Sequence, residues 1–229
     1  MLIIIDNRIP QQAKMELVKW GELVQLESKG VVYKEISGHP DIFMFQYEKE
    51  LIISPQLPRE VVDKLQFNGI DYNVGSLSLG LKYPQTAAYN VSASDGLFIG
   101  NSKTTDKKIL DLAQHNEWIE SPQAYSRCNS IILDKHHIIT SEITVHNLFV
   151  KSLLVNPKEI ELKGFSHGFF GGCVGYFDKK LFLIGSLRYH SQGEEIKNYC
   201  NKLSIEIIEL YDGPFYDGGG IFFLESNTT

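Results

Sequence analysis

The chain has 229 residues, 43% of them hydrophobic and 22% charged, with a net charge of −6. That length supports a sizeable core, while the acidic balance argues against a broad nucleic-acid-binding face. No run approaches the roughly 20 apolar residues that span a bilayer, so neither a membrane nor a nucleic acid is expected as a partner.

The first predicted strand is Leu2–Ile5, followed by Asp6-Asn-Arg-Ile-Pro10 and a helix through Met15, Leu17, Val18 and Trp20, with Gly21 behind it. The opening residues lack a basic n-region and the apolar run is too short for a signal peptide. A strand is expected over Asp41–Phe45, a turn at Glu48-Lys-Glu50, a second strand at Leu51–Ile53, and a helix started by Pro58 and ended by Asn68-Gly69. The same order returns with Tyr89–Ser92, Leu97–Ile99 and a helix from about Thr105, where Asp106 suits the positive helix end. It returns again with Asn129–Leu133, His137–Thr140 and a helix near Val145–Leu154. The fourth passage has Cys173–Phe177, Leu181–Ile184 and a helix near Gln192–Leu203, leading to a strand at Ile205–Ile208. Last comes Gly219–Leu224, which has no helix after it.

The hydrophobic strands beginning at residues 2, 51, 97, 137 and 181 start 49, 46, 40 and 44 residues apart. A period in this range signals a solenoid, propeller or closed array, because one unit cannot bury its apolar face alone. The fifth copy is split: its inner strand lies at the C-terminus and its helix at the N-terminus. The two ends are therefore expected to meet. The fold class expected is α/β, a pseudo-symmetric ring of five ββαβ units in a single domain over residues 1–229. Glycines gather at 164–175 and 218–220, where close backbone approach near a common axis would require them.

These features resemble the pentein fold, the α/β propeller of the guanidino-group modifying enzymes, which include arginine deiminases, dimethylarginine dimethylaminohydrolases and amidinotransferases. Pro40-Asp-Ile-Phe-Met-Phe-Gln46 with Glu50-Leu-Ile-Ile-Ser-Pro55 resembles the first unit of the dimethylarginine hydrolases. Leu97-Phe-Ile-Gly-Asn-Ser-Lys103 resembles their second, and Asp217-Gly-Gly-Gly-Ile221 the strand that delivers their nucleophile. Gly38-His-Pro-Asp41, Tyr125-Ser-Arg-Cys128 and the stretch Gly164–Gly172 are similar to a divergent bacterial pentein-like family.

The departures are as informative. No cysteine lies after Cys200, so the nucleophile position in Ile221–Glu225 is empty. Tyr125–Asn129 carries no histidine where the enzymes' third unit supplies an acid/base. Gln46-Tyr47 replaces an expected acidic residue, and the arginine expected to hold a substrate carboxylate is missing near Thr104. Covalent guanidino chemistry needs a thiolate and a proton donor for the leaving amine. The resemblance leaves only Asp41 in place, as the guanidinium-holding carboxylate.

From the residues themselves, Asp41, Asn90, Asn129, Gly172 and Gly219 occupy equivalent places and are expected at one level of a central channel. A small polar ligand, cationic or guanidino in kind, would bind there: Asp41 would pair with the cation, Asn90 and Asn129 would donate or accept hydrogen bonds, His167 would orient or gate it, and His39, Arg127 and Asp217 are further candidate ligand-binding residues. The alternative to a ligand site is a water-filled, hydrogen-bonded hub. A relocated enzyme would use Cys128 or Cys173 with His167. Arg127 would lower the Cys128 pKa if the two were close, but alternation on a strand would point them apart. Cys200 reads as core. His136-His137 lacks the companions of a metal site, and the three cysteines have no CxxC spacing, which fits a reducing cytoplasm. No metal or cofactor is expected. A third alternative is a protein or ribosome interaction module, since a translation factor that keeps ribosomal subunits apart resembles the same fold.

Overall fold

Five three-stranded sheets share one internal order in the computed structural model, which describes residues 1–226. In each, an inner strand pairs antiparallel with a middle strand, and a third strand runs parallel to the middle one. The inner and middle pairs are Met44–Tyr47 with Glu50–Ile53, Ser92–Ser94 with Leu97–Gly100, Ser130–Asp134 with His137–Thr140, and Val174–Phe177 with Lys180–Leu183. The fifth pair joins the chain ends: Leu2 faces Leu224, Ile3 faces Phe223 and Ile4 faces Phe222, antiparallel. The expected meeting of head and tail is thus present.

The inner strands neighbour one another in turn from 44–47 through 92–94, 130–134 and 174–177 to 222–224. Gln46 closes the series, its Nε2 donating to the Phe223 carbonyl at 2.8 Å. A crossover helix sits between the middle and third strand of each sheet, because parallel neighbours need a long return connection. Each helix buries a narrow apolar stripe: Ala13 and Leu17, Val61 and Leu65, Ile109 and Ala113, Val145, or Ile196 and Cys200. Burial of one such Leu or Ile is worth about 1.5–3 kcal/mol. Asp106 caps its helix as its position suggests, accepting from the Lys108 amide at 2.9 Å.

Two local expectations are revised, and one small sheet is added. The inner strands begin later than the apolar pattern suggests, because a single helical turn precedes each: Pro40–Phe43, Gln85–Ala87, Ser126–Asn129 and Gly171–Cys173. Pro40 presets the helical φ at the first of these. The helix expected near Val145–Leu154 is a single turn at Ile143–His146, and Lys151–Leu154 is a strand in parallel register with His137–Thr140. A two-stranded parallel sheet also pairs Ile160 with Phe215 and Glu161 with Tyr216. Strands of two residues carry no periodic signal, so nothing in the sequence announces it.

Candidate functional site

The helical turns place one backbone or polar group from each unit against the next, forming a closed circuit. Asn90 Nδ2 donates to the Asp41 carbonyl at 3.1 Å, and the Asn90 carbonyl accepts from the Ser126 amide at 3.2 Å. Arg127 Nη1 donates to the Gly171 carbonyl at 2.7 Å. The Gly172 carbonyl accepts from the Gly218 and Gly220 amides at 3.0 and 2.8 Å. The Asp41 amide then donates to the Gly219 carbonyl at 3.2 Å and returns the circuit to its start. Gly219 and Gly220 adopt φ of 69° and 77°, a region that disfavours side chains. A Cβ at Gly172 would overlap the Asp217 carboxylate. The glycines at 171–172 and 218–220 are therefore consequences of this convergence.

Cys128, rather than its neighbour Asn129, occupies the centre. A helical turn puts the Arg127 and Cys128 side chains near each other's partners, where strand alternation would have separated them. Cys128 Sγ donates to Asp41 Oδ2 at 2.7 Å and accepts from Asn90 Nδ2 at 3.2 Å. Asn90 Oδ1 accepts from the Arg127 and Cys128 amides at 2.9 and 3.1 Å, fixing the turn that carries both. Asn129 faces away, donating to the Tyr125 carbonyl at 2.6 Å.

Electrostatics follow from burial. Asp41 is fully buried, and loss of hydration lifts its pKa to about 6 against the partial relief given by the Cys128 hydrogen bond and the Arg127 charge. Burial also pushes the Cys128 thiol well up, and the nearby Asp41 and Asp217 charges push it further. The thiol is a proton donor here and a poor source of thiolate. Burial lowers the Arg127 pKa, with Asp41 opposing.

Asp217 accepts from the Phe169 amide at 2.9 Å and the Gly219 amide at 3.1 Å. Burial raises its pKa and His39 opposes the shift. His39 lies between Asp217 and Asp6, at 3.9 and 3.8 Å, and burial lowers its pKa. Asp6 in turn pairs with Arg8. Three buried polar atoms lack a hydrogen-bond partner among the described residues: His39 Nδ1, Asp41 Oδ1 and Asn129 Oδ1.

His167 is not brought to either cysteine. Its Nδ1 contacts the Gly168 carbonyl at 3.0 Å, while Cys173 Sγ donates to the Phe169 carbonyl at 3.2 Å. Cys173 is buried and its pKa is also pushed well up by burial. No group of three or more His, Cys, Asp or Glu suited to a metal ion occurs among the described residues. His137 instead pairs with Asp134 at 2.8 Å.

Below this centre the inner strands enclose a cavity of about 320 Å³, within the range of small-molecule sites. The buried Ser92, Ile131 and Phe222 and the half-buried Arg127 line its inner part, and the exposed Glu48, Lys49, Glu50, Asp95, Asp178 and Glu225 its mouth. The Arg127 guanidinium packs over the Phe222 ring at 5.7 Å and donates from Nη2 to the Val174 carbonyl at 3.1 Å. Apart from Glu225, which follows the last strand, the mouth residues come from hairpin turns, which the sequence marks as turns without indicating that they share one opening.

Residues 4–222 match a single family throughout. The chain belongs to the family of unknown function DUF6873. No similar sequence is found among curated proteins. Solved structures of pentein enzymes share the fold of this DUF6873 protein. A dimethylarginine dimethylaminohydrolase from Pseudomonas aeruginosa, in complex with citrulline, matches with a TM-score of 0.51 at 8% identity, covering 91% of each chain. SxtG, an amidinotransferase from Microseira wollei in the saxitoxin biosynthetic pathway, matches with a TM-score of 0.54 at 10% identity, covering 100% of this chain and 95% of its own. At such identities the likeness is one of backbone path. No helix among the described residues is long and apolar enough to cross a membrane.

Proposed function

We propose that this DUF6873 protein is a non-hydrolytic pentein-like protein that binds a small polar molecule in the cavity framed by its inner strands. In this reading the five three-stranded sheets are the blades of an α/β propeller. Asp41, Asn90 and Cys128 form its closed core, and Arg127 presents the polar floor of the cavity. One observation carries the non-hydrolytic part: Cys128, the cysteine at the centre, donates its proton to Asp41 at 2.7 Å. A nearby carboxylate opposes ionisation of the thiol, so the group that would attack is held in its unreactive form. The citrulline complex of the Pseudomonas hydrolase supports a small polar molecule as the kind of ligand this architecture accepts.

Thermal-shift screening against small polar metabolites tests the binding, with Ser94→Trp at the cavity wall as the filled control. A ligand present at 100 times its Kd stabilises the protein by about 2.7 kcal/mol. The shift is expected in the native protein and absent in the variant. Iodoacetamide at neutral pH tests the rest: all three cysteines are buried and are expected to react only after denaturation. Rapid labelling of Cys128 in the folded protein, or turnover of arginine, would overturn the non-hydrolytic reading.

A further inference from the structure

Arg127 is a largely enclosed cation with no counter-ion in contact among the described residues. Two of its nitrogens donate to the carbonyls of Gly171 and Val174, and its face rests on Phe222. No carboxylate lies within ion-pair distance of the guanidinium among the described residues, although Asp41 and Asp217 are close enough to be felt. An arginine has five N–H donors, so two carbonyls leave the fork incompletely used. Taking such a charge out of water is costly unless a partner offsets it. Arg127 also lines the inner part of the cavity, where a ligand would meet it.

The mouth has the opposite sign. Glu48, Glu50, Asp95, Asp178 and Glu225 line it, with Lys49 as the opposing charge. Asp178 is already engaged by Lys180 at 3.1 Å, so the excess of negative charge rests mainly on the other four. Phe222, which touches Arg127, and Glu225, just beyond the end of the same strand, both line the cavity and are three residues apart. At about 3.3 Å per residue this sets the two charged levels roughly 10 Å apart.

From this polarity we infer that the cavity takes an elongated zwitterion, carboxylate inward on Arg127 and cation outward among the mouth carboxylates. The inference rests on the proposed ligand-binding role and deepens it by naming the ligand class and its orientation. A bare cation would be drawn to the mouth but repelled from the floor, while a bare anion would meet the floor only after passing the negative rim. A zwitterion satisfies both levels at once. Six extended bonds span about 7 Å, the length of two residues, and a charge-assisted hydrogen bond of about 2.8 Å at each end covers the remaining few ångströms, so an ω-amino acid of this size meets both levels with its side contacts on Ile131 and Phe222.

Isothermal titration calorimetry on the full chain with three probes of matched length tests this: 6-aminohexanoate, hexanoate and hexylamine. The zwitterion is expected to bind at least about tenfold more tightly than either singly charged probe. Arg127→Gln should weaken 6-aminohexanoate about 10–100-fold, the range for losing a charge-assisted hydrogen bond, without weakening hexylamine. Since Arg127 also ties two carbonyls, a second variant guards against misfolding. Glu48→Gln with Glu225→Gln changes exposed mouth residues, and should weaken the zwitterion while strengthening hexanoate. Hexylamine binding as tightly as the zwitterion would overturn the orientation and leave the ligand-binding reading standing. An absence of binding by all three to the native protein would overturn the zwitterion inference, with the metabolite thermal shift deciding the broader reading separately.

Discussion

Replacing Asp41 by asparagine isolates the buried carboxylate at the centre of the circuit. Burial raises the folded-state pKa of Asp41 from the ordinary 3.8 to about 6. The gap of roughly two units, at about 1.36 kcal/mol per unit, makes about 3 kcal/mol available as pH-dependent stability. The direction follows from proton binding. Between the two pKa values the folded protein keeps a proton that the unfolded chain has shed. The stabilising contribution is therefore full below pH 4, is lost as pH climbs toward 6, and is absent above. Asp217, also raised by burial, acts in the same direction, whereas His39, lowered by burial, gives stability that grows as pH rises toward its unfolded value. Both remain in the variant, so they largely cancel in the comparison. The introduced carboxamide would keep an oxygen to accept the Cys128 thiol, but its NH₂ would face the position where Asp41 Oδ1 has no partner. That unsatisfied donor costs about 1–3 kcal/mol at every pH and shifts the curve without tilting it. Urea unfolding of both proteins from pH 4 to 7.5 gives the difference directly. The native protein should lose about 2.5 kcal/mol relative to Asp41→Asn across that range. Parallel profiles, within about 0.5 kcal/mol, would refute the assignment of a desolvated, poorly paired carboxylate.

Two packing changes complete the set. Gly172→Ala should destabilise by several kcal/mol or prevent folding, because its Cβ would overlap Asp217, which holds the Phe169 and Gly219 amides; urea titration with circular dichroism reads this. Phe223→Ala should cost about 3–5 kcal/mol, since its ring packs on Phe182 at 4.6 Å and Phe177 at 5.5 Å and its backbone joins Ile3 across the chain ends. A loss below about 1 kcal/mol in the same titration would mean that the end-to-end sheet contributes little to global stability.

The repeat grammar was legible because each sheet is assembled from segments close in sequence. Leu51–Ile53, Leu97–Ile99 and Leu181–Ile184 are continuous apolar runs buried on both faces, and Asn68-Gly69 and Asp106 mark helix ends by local chemistry. The pairing of Leu2–Ile4 with Phe222–Leu224 was also legible, since the last strand lacked a helix and the first helix lacked an inner strand. Asp41 and Asn90 could be placed near one another by equivalence of position alone.

Other features had no signal of this kind. Residues Asp41, Arg127, Cys128 and Cys173 adjoin apolar strands and look like their beginnings, yet a helical turn intervenes. That turn rotates Cys128 to Asp41 and sends Asn129 away, a choice of one residue that no repeat spacing resolves. His39 between Asp6 and Asp217 joins three distant segments, and Gln46 reaches Phe223 from the far end of the chain. The cavity is likewise made from inner strands and hairpin turns that lie far apart in the sequence.

What the amino-acid order determined by itself was the local alternation of strand, turn and helix, and the need for the two ends to share a sheet. Those properties arise from hydrophobic periodicity and backbone preference, which act over a few residues. Only the tertiary structure decided which polar groups meet, that a thiol shares its proton with a buried carboxylate, and that Arg127 faces a cavity with a negative rim. Burial and charge are properties of the assembled neighbourhood, because desolvation and Coulomb interactions depend on distances through space.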